Sequence, residues 1–137
     1  MVYEKNVNGI LYSDDPNLLN IEDIHDLLSK MYWFRETNNE SLQKAIDNSL
    51  CYVAYKDSKL IGFVRVITDY EQNASIWDMA ISSDCRGHGV GKELVDFLLD
   101  SPKTKNVFRW VLQTKDAHSF YSKFGFNQSE MLMNKIL

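Results

Sequence analysis

The chain is poor in the residues that staple or stiffen small proteins: it has two cysteines, Cys51 and Cys85, and two prolines in 137 residues. With no ligand-type spacing around either cysteine, a disulfide framework and a metal cluster are both excluded. Free thiols in a reducing, cytoplasmic setting are expected. Cys51 stands in an apolar run and reads as a core residue, whereas Cys85 lies beside Arg86 in a loop and is the more reactive position. No apolar run is long enough to span a bilayer. The opening Met1-Val2-Tyr3-Glu4-Lys5 lacks the basic-then-apolar layout of a signal peptide. Basic charge is also scarce, since 15 Lys and Arg face 19 Asp and Glu for a net charge of −4. No field exists to gather nucleic acid or anionic lipid, so neither nucleic acid nor membrane is expected as a partner. Linkers, repeats and low-complexity stretches are missing too, and a single domain over residues 1–137 is expected.

What is present suits a soluble globular domain: 45% hydrophobic residues are enough to bury a core without metal or disulfide. Asn8-Gly9 separates Val2–Val7 from Ile10–Ser13 as a two-residue hairpin would. Ile21, Ile24, Leu27, Leu28 and Met31 share one helical face. The bulky cluster Tyr32-Trp33-Phe34-Arg35 then breaks that pattern. A second helix is expected near Thr37, which has capping-box spacing to Glu40. Leu50–Tyr55, Leu60–Thr68 and Ala74–Ile81 read as antiparallel strands joined by short turns. A helix over Lys92–Asp100, a strand over Phe108–Thr114, a short helix Ala117–Phe124 capped by Asp116 and stopped by Gly125, and an extended segment Phe126–Ile136 complete the chain. The fold class expected is α+β with a mixed sheet.

The chemistry concentrates in Ser82-Ser83-Asp84-Cys85-Arg86-Gly87-His88-Gly89-Val90-Gly91-Lys92, which follows a strand and opens a helix. Backbone N–H groups there can converge on an anion, and glycines let the backbone approach phosphate oxygens and adopt positive φ. A dinucleotide fingerprint needs G-x-G-x-x-G, whereas Gly87, Gly89 and Gly91 alternate strictly. A Walker A loop needs Gly where Arg86 stands and Ser or Thr where Glu93 stands. The spacing that remains, Arg-Gly-x-Gly-x-Gly, suits a pyrophosphate.

This run resembles the pyrophosphate loop, (Gln/Arg)-x-x-Gly-x-(Gly/Ala), of the GCN5-related N-acetyltransferase (GNAT) superfamily. Asp116-Ala117-His118-Ser119-Phe120-Tyr121-Ser122-Lys123-Phe124-Gly125-Phe126 resembles a second segment of that family, A-x-x-F-Y-x-K-x-G-F. The resemblance covers nearly the whole chain and implies a sheet in which two parallel strands splay to hold acetyl-CoA. It implies that Met79, Ala80 and Ile81 pair with the pantetheine arm. Arg86, Gly87, His88, Gly89, Val90 and Gly91 would hold the pyrophosphate, with Thr114, Phe120 and Lys123 on the far side. Tyr121 matches the tyrosine that protonates the departing thiolate. Many members of that family use an acid or a water chain beside the strand preceding the glycine loop; the nearest carboxylate there is Asp78, as a base, a substrate anchor or a structural hydrogen-bond acceptor. His88, His118 and His25 read as surface or structural positions.

Acceptor contacts would come from Tyr32, Trp33, Phe34 and Arg35, as a pocket wall or as a cap on the core. The resemblance implies a small-molecule or peptide amine as acceptor and acetyl-CoA as cosubstrate, and it allows a homodimer; the sequence itself gives no sign of a metal. A non-catalytic acyl-CoA-binding module is the alternative from another class; a nicotinamide-binding protein is a distant third.

Overall fold

The computed structural model describes all 137 residues. Strands β1 (Glu4–Val7), β2 (Ile10–Ser13), β3 (Leu50–Lys56), β4 (Lys59–Thr68), β5 (Asn73–Ile81) and β6 (Arg109–Leu112) form one sheet in sequence order. All neighbours are antiparallel except β5 and β6, which run parallel. The Asn8-Gly9 hairpin is formed as expected, with φ of 53° and 79°, the two left-handed residues that a type I′ turn requires.

Four helices flank the sheet: α1 (Ile21–Ser29), α2 (Asn39–Asp47), α3 (Val90–Leu99) and α4 (His118–Ser122). Helix α3 buries Val90, Leu94, Phe97 and Leu98 on one face, against Tyr52, Ala54, Val64, Val66 and Ile76. Helices α1 and α2 bury Ile24, Leu27, Leu28, Leu42 and Ile46 on the other, against Val53, Phe63 and Ala80. No helix is long and apolar enough to cross a membrane.

Two bulges reconcile the sequence with these two faces. Strict alternation would send Ile61 and Phe63 to one side, but Ile61 lies in the α3 cluster and Phe63 in the α1 cluster. The β3–β4 register supplies the extra residue, since Ala54 pairs with Gly62 and Tyr55 with Leu60. On β5, Phe63 pairs with Ala80 and Arg65 with Trp77, so Asp78 and Met79 together face one residue of β4. Asp78 sits at φ 55°, and beyond it Ala80 joins the α1 face although Ala74 and Ile76 serve the α3 face.

Element boundaries differ from the expectations for local reasons. Asn38, rather than Thr37, caps α2 by accepting from the Ser41 N–H. Gly89 precedes α3, which therefore starts at Val90 instead of Lys92. Thr114 rather than Asp116 serves the start of α4, its Oγ1 accepting the Ala117 N–H at 3.0 Å. Residues 126–136 form no strand; a side-chain hydrogen bond from Gln113 to Asn134, at 3.1 Å, ties this tail beside β6.

Candidate functional site

The parallel ladder between β5 and β6 ends at Ile76 and Leu112, yet β5 continues to Ile81. From Trp77 onward the β5 edge that faces β6 is therefore open, and the two strands part. Ser82 donates its N–H to the Ile61 carbonyl, so alternation turns the Ile81 N–H and C=O away from β4 and onto this open edge. An open strand edge of this kind takes an extended ligand by strand addition.

At the end of β5 the chain turns through a 3-10 segment, Ser83–Cys85, into the glycine run. Gly87 and Gly89 have φ of 82° and 80°, and a Cβ at either would meet nothing within 4 Å. Space is therefore not why they are glycines; the left-handed backbone is. The consequence is a row of free donors, because the backbone N–H groups from Gly87 to Lys92 donate to no group in the chain. They sit at the N-terminus of the ten-residue α3, where the helix dipole adds partial positive charge.

Gly91 is held to glycine neither by its backbone nor by space, since a Cβ there would make only ordinary van der Waals contacts. A Cβ there would lie 3.6 Å from Phe120 Cζ and 3.7 Å from both Ile81 Cγ1 and Met79 Cε. The first turn of α3, the end of β5 and α4 meet at this point. Val90 is buried in the core below it.

Tyr121 lies on α4, 8% exposed, with its ring edge-on to Phe120 and Phe126. Burial pushes its phenol up to about 12. The hydroxyl donates to no group in the chain and is not one of the sealed, unsatisfied polar atoms, so it keeps an opening toward solvent. The proton is thus held firmly and left unengaged.

The other expected residues divide between the cleft and the scaffold. Arg86 donates Nε to the Ile81 carbonyl at 3.3 Å and Nη2 to Met31 Sδ at 3.5 Å. Its guanidinium thus bridges the Ile81 carbonyl at the end of β5 to Met31 just past α1, and Arg86 lines a cavity of about 630 Å³ between α1 and the β3–β4 and β5–α3 turns. Asp78 Oδ2 is bound by Arg65 Nε at 2.9 Å, and Arg65 Nη1 reaches Ser49 Oγ at 3.1 Å. With side chains 15% and 21% exposed, this pair holds the bulge; Arg65 carried no signal in the sequence.

Phe34 is half-buried against the α1 cluster and edge-on to His25, so it caps the core, while Tyr32, Trp33 and Arg35 are exposed. Tyr32 donates its hydroxyl to Asp116 Oδ2 at 2.8 Å, a contact that sequence reasoning did not anticipate. Thr114 is engaged in the turn before α4, accepting the N–H of Ala117, and Lys123 ends α4 with no ion pair. His88 and His118 are exposed; His25 contacts the Thr37 carbonyl at 2.9 Å.

Two measurable consequences arise from these placements. Asp78→Ala removes the partner of a mostly buried guanidinium and places alanine at positive φ, and is expected to cost about 2 kcal/mol. Asp78→Asn keeps a residue tolerant of that backbone and is expected to cost about 1 kcal/mol. Urea unfolding of both checks this, and wild-type stability in the alanine variant would refute it.

The second concerns alkali. Burial raises Tyr121 from 10.0 and Cys51 from 9.0, each to about 12. The folded state keeps protons that the unfolded state releases, so this stability is complete below the unfolded values and is lost as pH rises toward the folded ones. Tyr121 alone should account for about 1.4 kcal/mol by about pH 11. The urea midpoint is expected to fall steadily from about pH 9 upward; a flat midpoint would contradict the burial of these groups.

A mixed sheet whose parallel pair splays toward a glycine-initiated helix, with free N–H donors at its start, defines the structural class. Comparison with known proteins gives the family. Residues 21–126 match the model of the acetyltransferase (GNAT) family. The chain is 37% identical over 113 residues to a protein of Prochlorococcus marinus named "Uncharacterized N-acetyltransferase ycf52-like", an alignment covering 78% of this chain and 62% of that protein. A crystal structure of a GNAT-family protein from Xanthomonas campestris pv. campestris superposes with a TM-score of 0.88 at 32% identity, covering 96% of each chain. Glucosamine-6-phosphate N-acetyltransferase from Arabidopsis thaliana shares the fold, with a TM-score of 0.66 at 21% identity over 86% of this chain and 94% of that one. The chain belongs to the acetyltransferase (GNAT) family.

Proposed function

We propose that the chain is an N-acetyltransferase that moves the acetyl group of acetyl-CoA to a primary amine of a small molecule or peptide, by direct attack in a ternary complex. The observation that carries this reading is the open edge of β5 leading straight to the unpaired N–H groups of Gly87–Lys92. An edge and a nest in series fit a ligand with an amide-bearing arm and a pyrophosphate. Acetyl-CoA has both and supplies an activated thioester. Its relatives' names, N-acetyltransferase among them, support the same reading.

The chain's own groups divide the work. The N–H groups of Gly87–Lys92 take the phosphate oxygens, and the edge groups of Met79 and Ile81 align the arm. The Asp78–Arg65 pair fixes the bulge that orients both. Because Asp78 is committed to Arg65, we assign it to positioning, and the acceptor's proton leaves to water in the cleft. Tyr121 Oη gives its proton to the departing sulfur. Cys51 is buried and its thiol pushed up to about 12 by burial, so it takes no part. Two free thiols agree with a reducing, cytoplasmic setting.

The test is a mass-spectrometric screen for acetylated products, with acetyl-CoA and a panel of small amines, amino acids and peptides. Mass detection avoids interference from Cys85, the partly exposed thiol, which would react with a thiol dye. A Tyr121-dependent product is expected. Tight acetyl-CoA binding with no product across the panel would favour a sensing module, and no acetyl-CoA binding would overturn the reading.

A further inference from the structure

Building on that reading, we propose that Tyr32 and Asp116 form a latch across the acceptor mouth, and that Asp116, once freed, docks an acceptor carrying a second positive charge. The Tyr32–Asp116 hydrogen bond joins residues 84 positions apart in sequence. Tyr32 lies in the segment after α1, on the β5 side: Met31 contacts Arg86, and Phe34 packs with the cluster that contains Ala80. Asp116 lies just beyond β6, between Thr114 and α4. One bond of 2.8 Å thus ties together the two walls that part below Ile76 and Leu112.

The tie is built to exchange. Tyr32 is 69% exposed, so little packing holds it in place apart from this bond. A hydrogen bond made in water contributes little net stability, and a ligand can displace it. Asp116 has no cationic partner among the chain's ion pairs, unlike Asp78. It is an uncompensated carboxylate at the mouth, at present satisfied by a neutral phenol. An ammonium offers it a charge-assisted bond instead. The displaced phenol ring, with exposed Trp33 next to it, can then face the same cation. The reacting nitrogen must be neutral to attack, so the recognised charge belongs to a second amine on the acceptor.

The experiment compares 1,4-diaminobutane with n-butylamine, which differ by one ammonium at the far end of the same chain. Wild type is expected to favour the diamine in kcat/KM by about tenfold. Asp116→Asn should bring that ratio close to one. Tyr32→Phe opens the latch but keeps the carboxylate, and should lower the KM for the diamine. Glu130→Gln removes the same charge from the exposed tail and should keep the preference, which separates a local contact from net charge. Calorimetric titration of 1,4-diaminobutane into the coenzyme A-loaded protein reads the same order of affinities without turnover. Asp116-dependent diamine binding without acetylation would sustain this proposal and count against the enzyme reading. Equal kcat/KM for both amines in wild type would overturn the proposal alone, as would a preference surviving in Asp116→Asn. Weaker diamine binding in both variants would reduce the contact to a structural tie and overturn the latch, and no diamine binding at all would overturn the whole proposal.

Discussion

Replacing Tyr121 with phenylalanine is expected to lower kcat by about a hundredfold while the Kd for acetyl-CoA changes by less than about twofold. The substitution removes one oxygen and keeps the ring that packs on Phe120 and Phe126, so cavity and strain effects stay small. The size follows from the acid's strength. General acids contribute between about 10² and 10⁴. Burial raises this phenol to about 12, which makes it a weaker acid than a free tyrosine and places it at the low end. The same shift fixes the pH profile. Activity should climb with pH as the acceptor amine loses its proton, with no alkaline fall caused by Tyr121 until the pH nears 12. Single-turnover kinetics and a binding titration of both proteins measure the two quantities separately. Equal turnover in Tyr121→Phe would remove the residue from the acid role; a matching loss in acetyl-CoA affinity would make it a packing residue.

Much of this arrangement is legible in the sequence, and what is not has a common cause. The three central strands, the Asn8-Gly9 turn and the α1 face follow from local chemistry, because turn residues and hydrophobic periodicity act over a few positions. The glycine run is legible for the same reason: alternating glycines before a helix leave N–H groups free whatever surrounds them. The bulges at Ile61 and Asp78 are not. Each switches a strand between two buried faces, and on both sides of the switch the residues are apolar, so the slip leaves no break in the pattern. Asp78 shows the cost of that gap. In sequence it is an acid within an apolar strand with no visible partner. In the fold Arg65, thirteen residues earlier on the neighbouring strand, supplies one at 2.9 Å. Asp116 does not cap α4 for a similar reason: it turns to Tyr32, 84 positions away, while Thr114 accepts the N–H of Ala117 in the turn before the helix. Contacts of this kind are set by the closed fold, and no local spacing encodes them.

Gly89→Glu is expected to weaken acetyl-CoA binding by more than about a hundredfold, equivalent to about 2.8 kcal/mol or more. In the unliganded chain the new side chain has room, because a Cβ at this position meets nothing within 4 Å. The folding penalty is then chiefly that of a side chain at φ 80°, about 1 kcal/mol. A carboxylate at the start of α3 also interacts favourably with the helix dipole, which offsets part of that cost. In binding the terms reverse. The carboxylate competes for the N–H groups of Gly87–Lys92 and repels the phosphates they would receive. Gly9→Glu separates the two effects: it carries the same strain, φ 79° with nothing within 4 Å, in a hairpin away from the cleft. Thermal melts of the two variants should show similar modest losses, while calorimetry should show acetyl-CoA binding kept in Gly9→Glu and lost in Gly89→Glu. Wild-type affinity in folded Gly89→Glu would mean that the free N–H groups are not where the pyrophosphate goes, and the assignment of the whole cleft would fall with it.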